Sequence, residues 1–390
     1  MSEAVAIAAV SEMKPGRYPE KDGYALYIDV IRQFLSEWNV KPNDIQGLLA
    51  CPSGMASGEG ADIFIHEQLY EEMGIRPLFS DTMNTGGSTY GVMIQRAALA
   101  IQRGIVDSVL CLGAGKFPKV GAGGAESMAR MVTHPAFEFP YGSFIPAMYA
   151  QVATRYMHEY GATAEHFAEV AVSCREWALK NPKAATYGTE ALTVAKVRGS
   201  RPIASPFHLF DCSIPLEGGA AILVTNQSLA KRINPQPAYV LGSGEYHNHR
   251  NISQAPDLMN VGCKKSGEQA YRRAGLTPSD IQFAEIYDAF TVNPLAFMEE
   301  LDLCPRGKAG KFFQSGATRP GGSFPVNTYG GLLSFGHTGD TSGMSMIVSA
   351  AQQIMGIAGE RQLIRNNIAL VHSYGGMMSE HSTLILGKQS

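Results

Sequence analysis

The stretch that decides the fold is Ser80-Asp81-Thr82-Met83-Asn84-Thr85-Gly86-Gly87-Ser88-Thr89-Tyr90-Gly91. A helical pattern follows it from Val92 to Gln102 and ends at Gly104. The apolar segment 108–112 comes next and is typical of a buried strand. We therefore predict that residues 80–91 form a turn between a strand and a helix, in which neighbouring glycines let the backbone approach a ligand.

One local pattern, a helical stretch followed by a Pro-x-Asp-Ile-Gln segment and an apolar run, occurs twice along the chain. Pro42-Asn43-Asp44-Ile45-Gln46 follows a helical stretch and leads into the apolar run 47–50. Pro278-Ser279-Asp280-Ile281-Gln282 likewise follows a helical stretch and leads into the apolar run 283–287. Repetition of this kind indicates two units with the same architecture.

The turn that opens a helix is repeated as well. Gly336-His337-Thr338-Gly339 precedes the helical pattern 342–355, which is followed by the strand 368–371 and by Tyr374-Gly375-Gly376. The chain is therefore predicted to be an α/β protein with two similar halves, residues 1–235 and 236–390. Alternating strands and helices predict mostly parallel sheets covered by helices on both faces.

A segment of about 116–203 interrupts the first half. It is rich in Met, Tyr and Phe, and it contains helical patterns at 147–160 and 164–178. An insertion of this length and composition favours a folded lid or an interface over a structureless loop.

Composition excludes several classes of function. The formal charge is -3 over 390 residues and no basic run is present, which argues against a nucleic-acid partner. No apolar run reaches the roughly 18 residues that a membrane span needs. The six cysteines show neither a C-x-x-C pair nor metal-ligand spacing, so we expect a reduced cytoplasmic protein without a metal site.

Six segments together resemble the thiolase superfamily over essentially the whole chain. They are residues 84–87, 124–128, 211–221, 285–290, 327–339 and 373–376, in the order in which that family carries them. The resemblance implies a thiolase fold, a five-layer α-β-α-β-α sandwich with an inserted lid segment. It also implies a homodimer, coenzyme A as part of the substrate and no tightly bound cofactor.

The chain departs from the family pattern at three of its four catalytic positions. Gly87 stands where the family has its nucleophilic cysteine, Tyr287 where it has a water-holding asparagine, and Ser373 where it has a second cysteine. His337 of the Gly-His motif is retained. The absence of the first cysteine and the presence of Tyr287-Asp288 make the chain similar to steroid side-chain aldolases. This resemblance implies a small partner protein with an OB-fold.

The candidate site residues follow from these positions. Catalytic roles are assigned to His337, Tyr287, Tyr374 and Ser88, and substrate-binding roles to Gly87, Asn84, Gly375, Ser373 and Asp288. An ordinary histidine titrates near neutral pH, so His337 is expected to suit proton transfer or enolate stabilisation. The alternatives are a histidine that only caps a helix and a Tyr287 that only packs in a core.

The leading hypothesis is an enzyme that acts on acyl-CoA thioesters and makes or breaks a carbon–carbon bond next to the thioester. Retro-aldol cleavage of a β-hydroxyacyl-CoA, without an acyl-enzyme, is the favoured reaction. Two alternatives remain open: an acyltransferase that uses another nucleophile, with Ser88 as the candidate, and a non-catalytic acyl-CoA or lipid-binding scaffold.

Overall fold

The computed structural model of the chain describes residues 3–52, 62–117 and 124–389. The strands in these ranges are β1 Val5–Glu12, β2 Gly47–Ala50, β3 Phe79–Thr82, β4 Ser108–Gly115, β5 Pro202–Ala204, β6 Phe207–His208, β7 Gly218–Asn226, β8 Ala238–His247, β9 Phe283–Ile286, β10 Ile368–Gly375 and β11 Glu380–Gly387. The helices are α1 Gly23–Trp38, α2 Ile65–Glu72, α3 Thr89–Gln102, α4 Gly124–Val132, α5 Ile145–Tyr160, α6 Ala164–Ala178, α7 Val194–Arg198, α8 Gln227–Ile233, α9 Cys263–Ala274, α10 Val292–Glu300, α11 Ala309–Gln314, α12 Gly331–Ser334 and α13 Ser342–Met355.

Nine of these strands pair in the order β3-β2-β4-β7-β1-β8-β11-β10-β9. The order β2-β4-β7-β1 in the first part of the chain corresponds to β9-β10-β11-β8 in the second, so the same strand order occurs twice. The two sets meet at β1 and β8, which share only the pairs Ala6↔Tyr239 and Ile7↔Ala238.

The expectation of mostly parallel sheets is wrong. Parallel pairing is confined to β2 with β3, β2 with β4, and β9 with β10. The remaining neighbours are antiparallel, including β10 and β11, which a short turn joins directly. A short turn can join only antiparallel strands, whereas parallel neighbours need a crossover connection.

Helices α3 and α13 form the central layer between the two sets of strands. Helix α3 contacts β4 and β7 on one side and β8 and β11 on the other, and α13 contacts β1 and β7 as well as β9 and β10. Helix α1 covers the outer face of the first set, and α9 covers that of the second. The expected five layers are confirmed.

Burial of the central helices follows from this position. Thirteen of the 14 residues of α13 are buried, because the helix has a sheet on each side. Gly343 allows α13 to approach the turn before α3 closely, since a Cβ atom there would overlap the carbonyl oxygen of Gly87. The start of α13 is thereby held against the turn that precedes α3.

The inserted segment is helical where it is described, from α4 to α7, and residues 118–123 lie outside the described ranges. Helix α6 packs on α11 and α12, and α5 packs on α10. The insertion is thus anchored on the second half of the chain. Among the described residues, no helix is both long and apolar enough to span a membrane.

Candidate active site

The turn before α3 and the turn after β10 meet backbone to backbone. A Cβ atom on Gly86, which has a φ of 65°, would lie 2.8 Å from Cα of Gly375. A Cβ atom on Gly375 would in turn overlap the carbonyl oxygen of Thr85. Any side chain at these two positions would separate the turns, so both glycines are required by this close approach. The structure therefore brings Gly87 and Gly375 of the predicted site together.

The phenol ring of Tyr287 fills the space in front of Gly87. A Cβ atom on Gly87 would lie 2.5 Å from Cε2 and 2.7 Å from Cζ of Tyr287, well inside van der Waals contact. On the other side it would overlap the carbonyl oxygen of Tyr374. Residue 87 therefore has no room for a side chain, and a tyrosine occupies the volume that one would need.

The hydroxyl of Tyr287 lies between an imidazole and an alcohol. It is 3.0 Å from Nε2 of His337 and 2.6 Å from Oγ of Ser342. Tyr287 is 5% exposed, so these hydrogen bonds are shielded from bulk water. The three groups come from the end of β9, the loop before α13 and the first residue of α13.

His337 is held as a neutral imidazole. Part of the residue is exposed, but burial around its ring lowers the pKa to about 4. Phe117 packs edge-on against this ring with centroids 5.2 Å apart. Nδ1 is buried without a hydrogen-bond partner among the described residues. A neutral ring can accept a hydrogen bond from Tyr287 at Nε2 while its own hydrogen stays at Nδ1.

Tyr374 packs beside Tyr287, but its hydroxyl has another partner. The two ring centroids are 4.8 Å apart, while the Tyr374 hydroxyl donates to Oδ1 of Asn293 at 3.2 Å. Burial raises the pKa of Tyr374 well above its ordinary value, so the phenol stays protonated. This geometry favours a role for Tyr374 in shaping the wall of the site.

Ser88 and Asn84 make hydrogen bonds within the turn before α3. The Ser88 hydroxyl donates to the carbonyl oxygen of Thr85 at 2.7 Å, and it is buried. Oδ1 of Asn84 accepts from the backbone N–H of Gly86 at 2.7 Å. These bonds stabilise the turn, and they give Ser88 no basic partner of the kind that activates a nucleophile.

Asp288 and Ser373 face other parts of the protein. Oδ1 of Asp288 accepts from the backbone N–H of Leu332 at 2.7 Å, at the start of α12, and the residue is fully buried. Burial raises the pKa of Asp288 to about 7. Ser373 is paired with Ser382 in the β10–β11 ladder, and its Oγ lies on the side of α3, 3.5 Å from where a Cβ atom on Gly91 would be.

Sequence reasoning missed two polar side chains next to the site. Ser342 is the first residue of the helix that follows the Gly-His motif, and that position is the signal that points to it. Asn293 has no comparable signal, because it lies in α10 and meets Tyr374 across 81 residues of chain.

Comparisons with known proteins now identify the family. A family model described as "Thiolase C-terminal domain-like" matches residues 244–388. The steroid side-chain-cleaving aldolase of Thermomonospora curvata is 32% identical, over 90% of this chain and 90% of the relative. An acetyl-CoA acetyltransferase of Methanothermobacter thermautotrophicus is 30% identical, over 81% of this chain and 83% of the relative.

The chain belongs to the thiolase superfamily. A solved structure titled "Ltp2-ChsH2(DUF35) aldolase" superimposes with a TM-score of 0.83 at 31% identity, over 99% of this chain and 98% of the other. Membership of this superfamily allows the geometry around Gly87 to be interpreted. In this thiolase-superfamily member the nucleophile position is a glycine whose side-chain space is filled by Tyr287. The site therefore offers a phenol, a neutral imidazole and an alcohol in place of a thiolate.

Proposed function

We propose that this chain cleaves the Cα–Cβ bond of a β-hydroxyacyl-CoA by a retro-aldol reaction. The observation that carries the proposal is the hydrogen-bonded group Ser342–Tyr287–His337 in the volume next to Gly87. Such a group suits proton transfer, and it offers no atom on which an acyl-enzyme forms readily. Relatives named as an aldolase and as an acetyltransferase support an enzyme that acts on CoA thioesters.

Proton transfer in this site begins at the substrate alcohol. A free tyrosinate is costly because an ordinary tyrosine has a pKa of about 10. The Tyr287 hydroxyl instead passes its proton to Nε2 of His337 while its oxygen takes the proton of the β-hydroxyl. The Cα–Cβ bond breaks, the β-carbon becomes a carbonyl, and the electron pair becomes a thioester enolate. Return of the proton to Cα releases the shorter acyl-CoA.

Two helix N-termini favour the negative charge of the enolate. Helix α3 begins at Thr89 and α13 at Ser342, and Gly343 packs directly on the backbone of Gly87. The dipole at each terminus attracts a developing oxyanion. Together with the backbone amides near Gly87 and Gly375, the two N-termini form the proposed enolate site, each donor contributing about 2–4 kcal/mol.

Assembly is part of the proposal. Strand β3 is an edge strand with side chains that are exposed or half-buried, and Leu78 beside it is 75% exposed. We propose that two copies pair along this edge to form a homodimer, since unpaired edges are ready for strand addition. The solved aldolase that carries DUF35 in its title supports a partner protein, which we propose is a small OB-fold protein that binds the insertion.

A cytoplasmic location is proposed on the basis of the cysteines. All six lie within the described residues, and none forms a disulfide. Unpaired cysteines are typical of a reducing compartment.

The experiment supplies purified chain and its partner with a panel of β-hydroxyacyl-CoA thioesters and measures the shortened acyl-CoA. Tyr287→Phe is expected to lower kcat by about 10²–10⁴-fold. Tyr271→Phe is the matched control, because that tyrosine also loses a buried hydroxyl, which donates to the carbonyl oxygen of Leu301. Equal kcat for Tyr287→Phe and the control, or an acyl adduct on the intact protein during turnover, contradicts the proposal.

A further inference from the structure

A second cavity lies at the far end of α13 from the site described above. Its volume is about 400 Å³, and its polar lining includes Glu12, Lys183, Tyr329, Ser349, Gln352 and Arg361. Ser342 begins α13, whereas Ser349 and Gln352 lie two to three turns further along it. The cavity is therefore a separate feature of the molecule.

Arg361 lines this cavity as a buried cation that forms no salt bridge with a described carboxylate. It is 7% exposed and donates to three neutral acceptors: the carbonyl oxygen of Thr328, Oγ of Ser349 and Oε1 of Gln352. Among the described residues no carboxylate oxygen lies within 4.0 Å of its nitrogens. Buried charges in proteins are normally paired, because an unpaired charge is expensive to desolvate.

Lys183 adds a second cation, which is half-buried. Its Nζ donates to the backbone carbonyl oxygen of Glu12 at 2.6 Å, and it forms no salt bridge with a described carboxylate. The Glu12 carboxyl group accepts a hydrogen bond from Ser345 instead. Two cations therefore share one cavity and bind only neutral oxygens.

The carboxyl groups near the cavity do not balance these charges. Burial raises the pKa of Glu12 to about 7, so this group is partly protonated at neutral pH even with Lys183 and Arg361 nearby. Glu285, which faces Arg361 from β9, has a pKa raised to about 8 by burial. Glu360 also lines the cavity, but it is exposed.

A neutral donor completes the lining. The Tyr329 side chain is 1% exposed, and its hydroxyl has no hydrogen-bond partner among the described residues. A buried hydroxyl without a partner costs free energy that a ligand or a water molecule recovers.

We propose that this cavity binds a small oxyanion, a carboxylate or phosphate group carried by a metabolite small enough for its volume of about 400 Å³. Arg361 and Lys183 supply the opposite charge, in the way that guanidinium and ammonium groups recognise oxyanions elsewhere. The site goes beyond the proposed reaction, since Tyr287 and His337 take no part in it.

Binding of an anion is linked to a proton on Glu12. A bound negative charge makes ionisation of the neighbouring carboxyl group harder, so its pKa rises further above 7. At pH 7 the complex therefore takes up protons from solution. The charged and polar groups around Glu12 are Lys183, Arg361, Tyr329 and the hydroxyl of Ser345.

The test titrates the full chain separately with inorganic phosphate and with acetate at constant ionic strength, by isothermal titration calorimetry. Saturable binding of at least one probe is expected, and Lys183→Met should weaken it at least tenfold. Lys180→Met, which removes a nearby lysine outside the cavity, should leave the dissociation constant unchanged. Repetition in two buffers of different ionisation enthalpy measures the proton uptake, which Glu12→Gln should abolish while binding persists.

Three outcomes overturn the inference: no saturable binding of either probe, equal affinity in Lys183→Met and wild type, or equal loss of affinity in both lysine variants. Because binding is measured without turnover, failure here leaves the proposed reaction untouched.

Discussion

Substitution of Gly87 by alanine examines the central geometric feature of the active site. The added Cβ atom would lie 2.5 Å from Cε2 of Tyr287, whereas ordinary contact begins near 3.4 Å. The phenol must therefore retreat by about 0.9 Å, because the carbonyl oxygen of Tyr374 behind it belongs to strand β10 and cannot rotate away.

That displacement has two consequences. A displacement of this size disturbs the hydrogen bond between the Tyr287 hydroxyl and Nε2 of His337, which lie 3.0 Å apart. A misplacement of this size is expected to lower kcat by about 100-fold. Overpacking of the buried site should also reduce the free energy of unfolding by about 1–3 kcal/mol.

The assay pairs kcat for a β-hydroxyacyl-CoA that the wild type cleaves with urea unfolding of each variant. Gly16→Ala is the control, since its Cβ atom would lie an ordinary 3.6 Å from the Tyr18 ring. A double-mutant cycle with Tyr287→Ala locates the clash: alanine at position 87 should destabilise the protein less once the ring is gone. Wild-type kcat and stability in Gly87→Ala, or no coupling in the cycle, would refute the reasoning.

Three further predictions concern neighbouring residues. Ser88→Ala should retain kcat within a few-fold and should lose only the bonds to the carbonyl oxygen and Oγ1 of Thr85; a loss of 10³-fold or more would restore the nucleophile hypothesis. Asp288→Ala should lower the free energy of unfolding by about 1–3 kcal/mol, because the buried N–H of Leu332 loses its acceptor, and urea titration against Asp288→Asn measures this loss. Because the pKa of His337 is lowered to about 4, kcat/KM should be flat near pH 6 and fall as pH drops through 4, where protonation removes the acceptor; an acid limb at the ordinary histidine value near 6.5 contradicts a neutral His337.

Local patterns were sufficient to predict several of the helices and strands and to single out Tyr287 and His337 as candidate catalytic groups. The helical patterns at 147–160 and 164–178 correspond to α5 and α6, because apolar periodicity and terminal glycines act over a few residues. Strand direction was the main error. The position of β11 beside β10 depends on the turn at 376–379, where Gly376 and Met378 have positive φ, a signal that the apolar pattern does not carry.

The sequence by itself determined that one order of segments occurs twice along the chain. It also determined that Gly87 stands in the turn before α3, where the resemblance to the family expects a cysteine, and that His337 is retained in the Gly-His motif. These are properties of residue identity and short-range order. Only the tertiary structure decided that Tyr287 fills the space beside Gly87, and that its hydroxyl meets Ser342 and His337 rather than Tyr374. Those contacts join groups 50 and 55 residues apart. They depend on the two sets of strands packing against the central helices α3 and α13. Distances of this kind are set by packing, which no local pattern encodes.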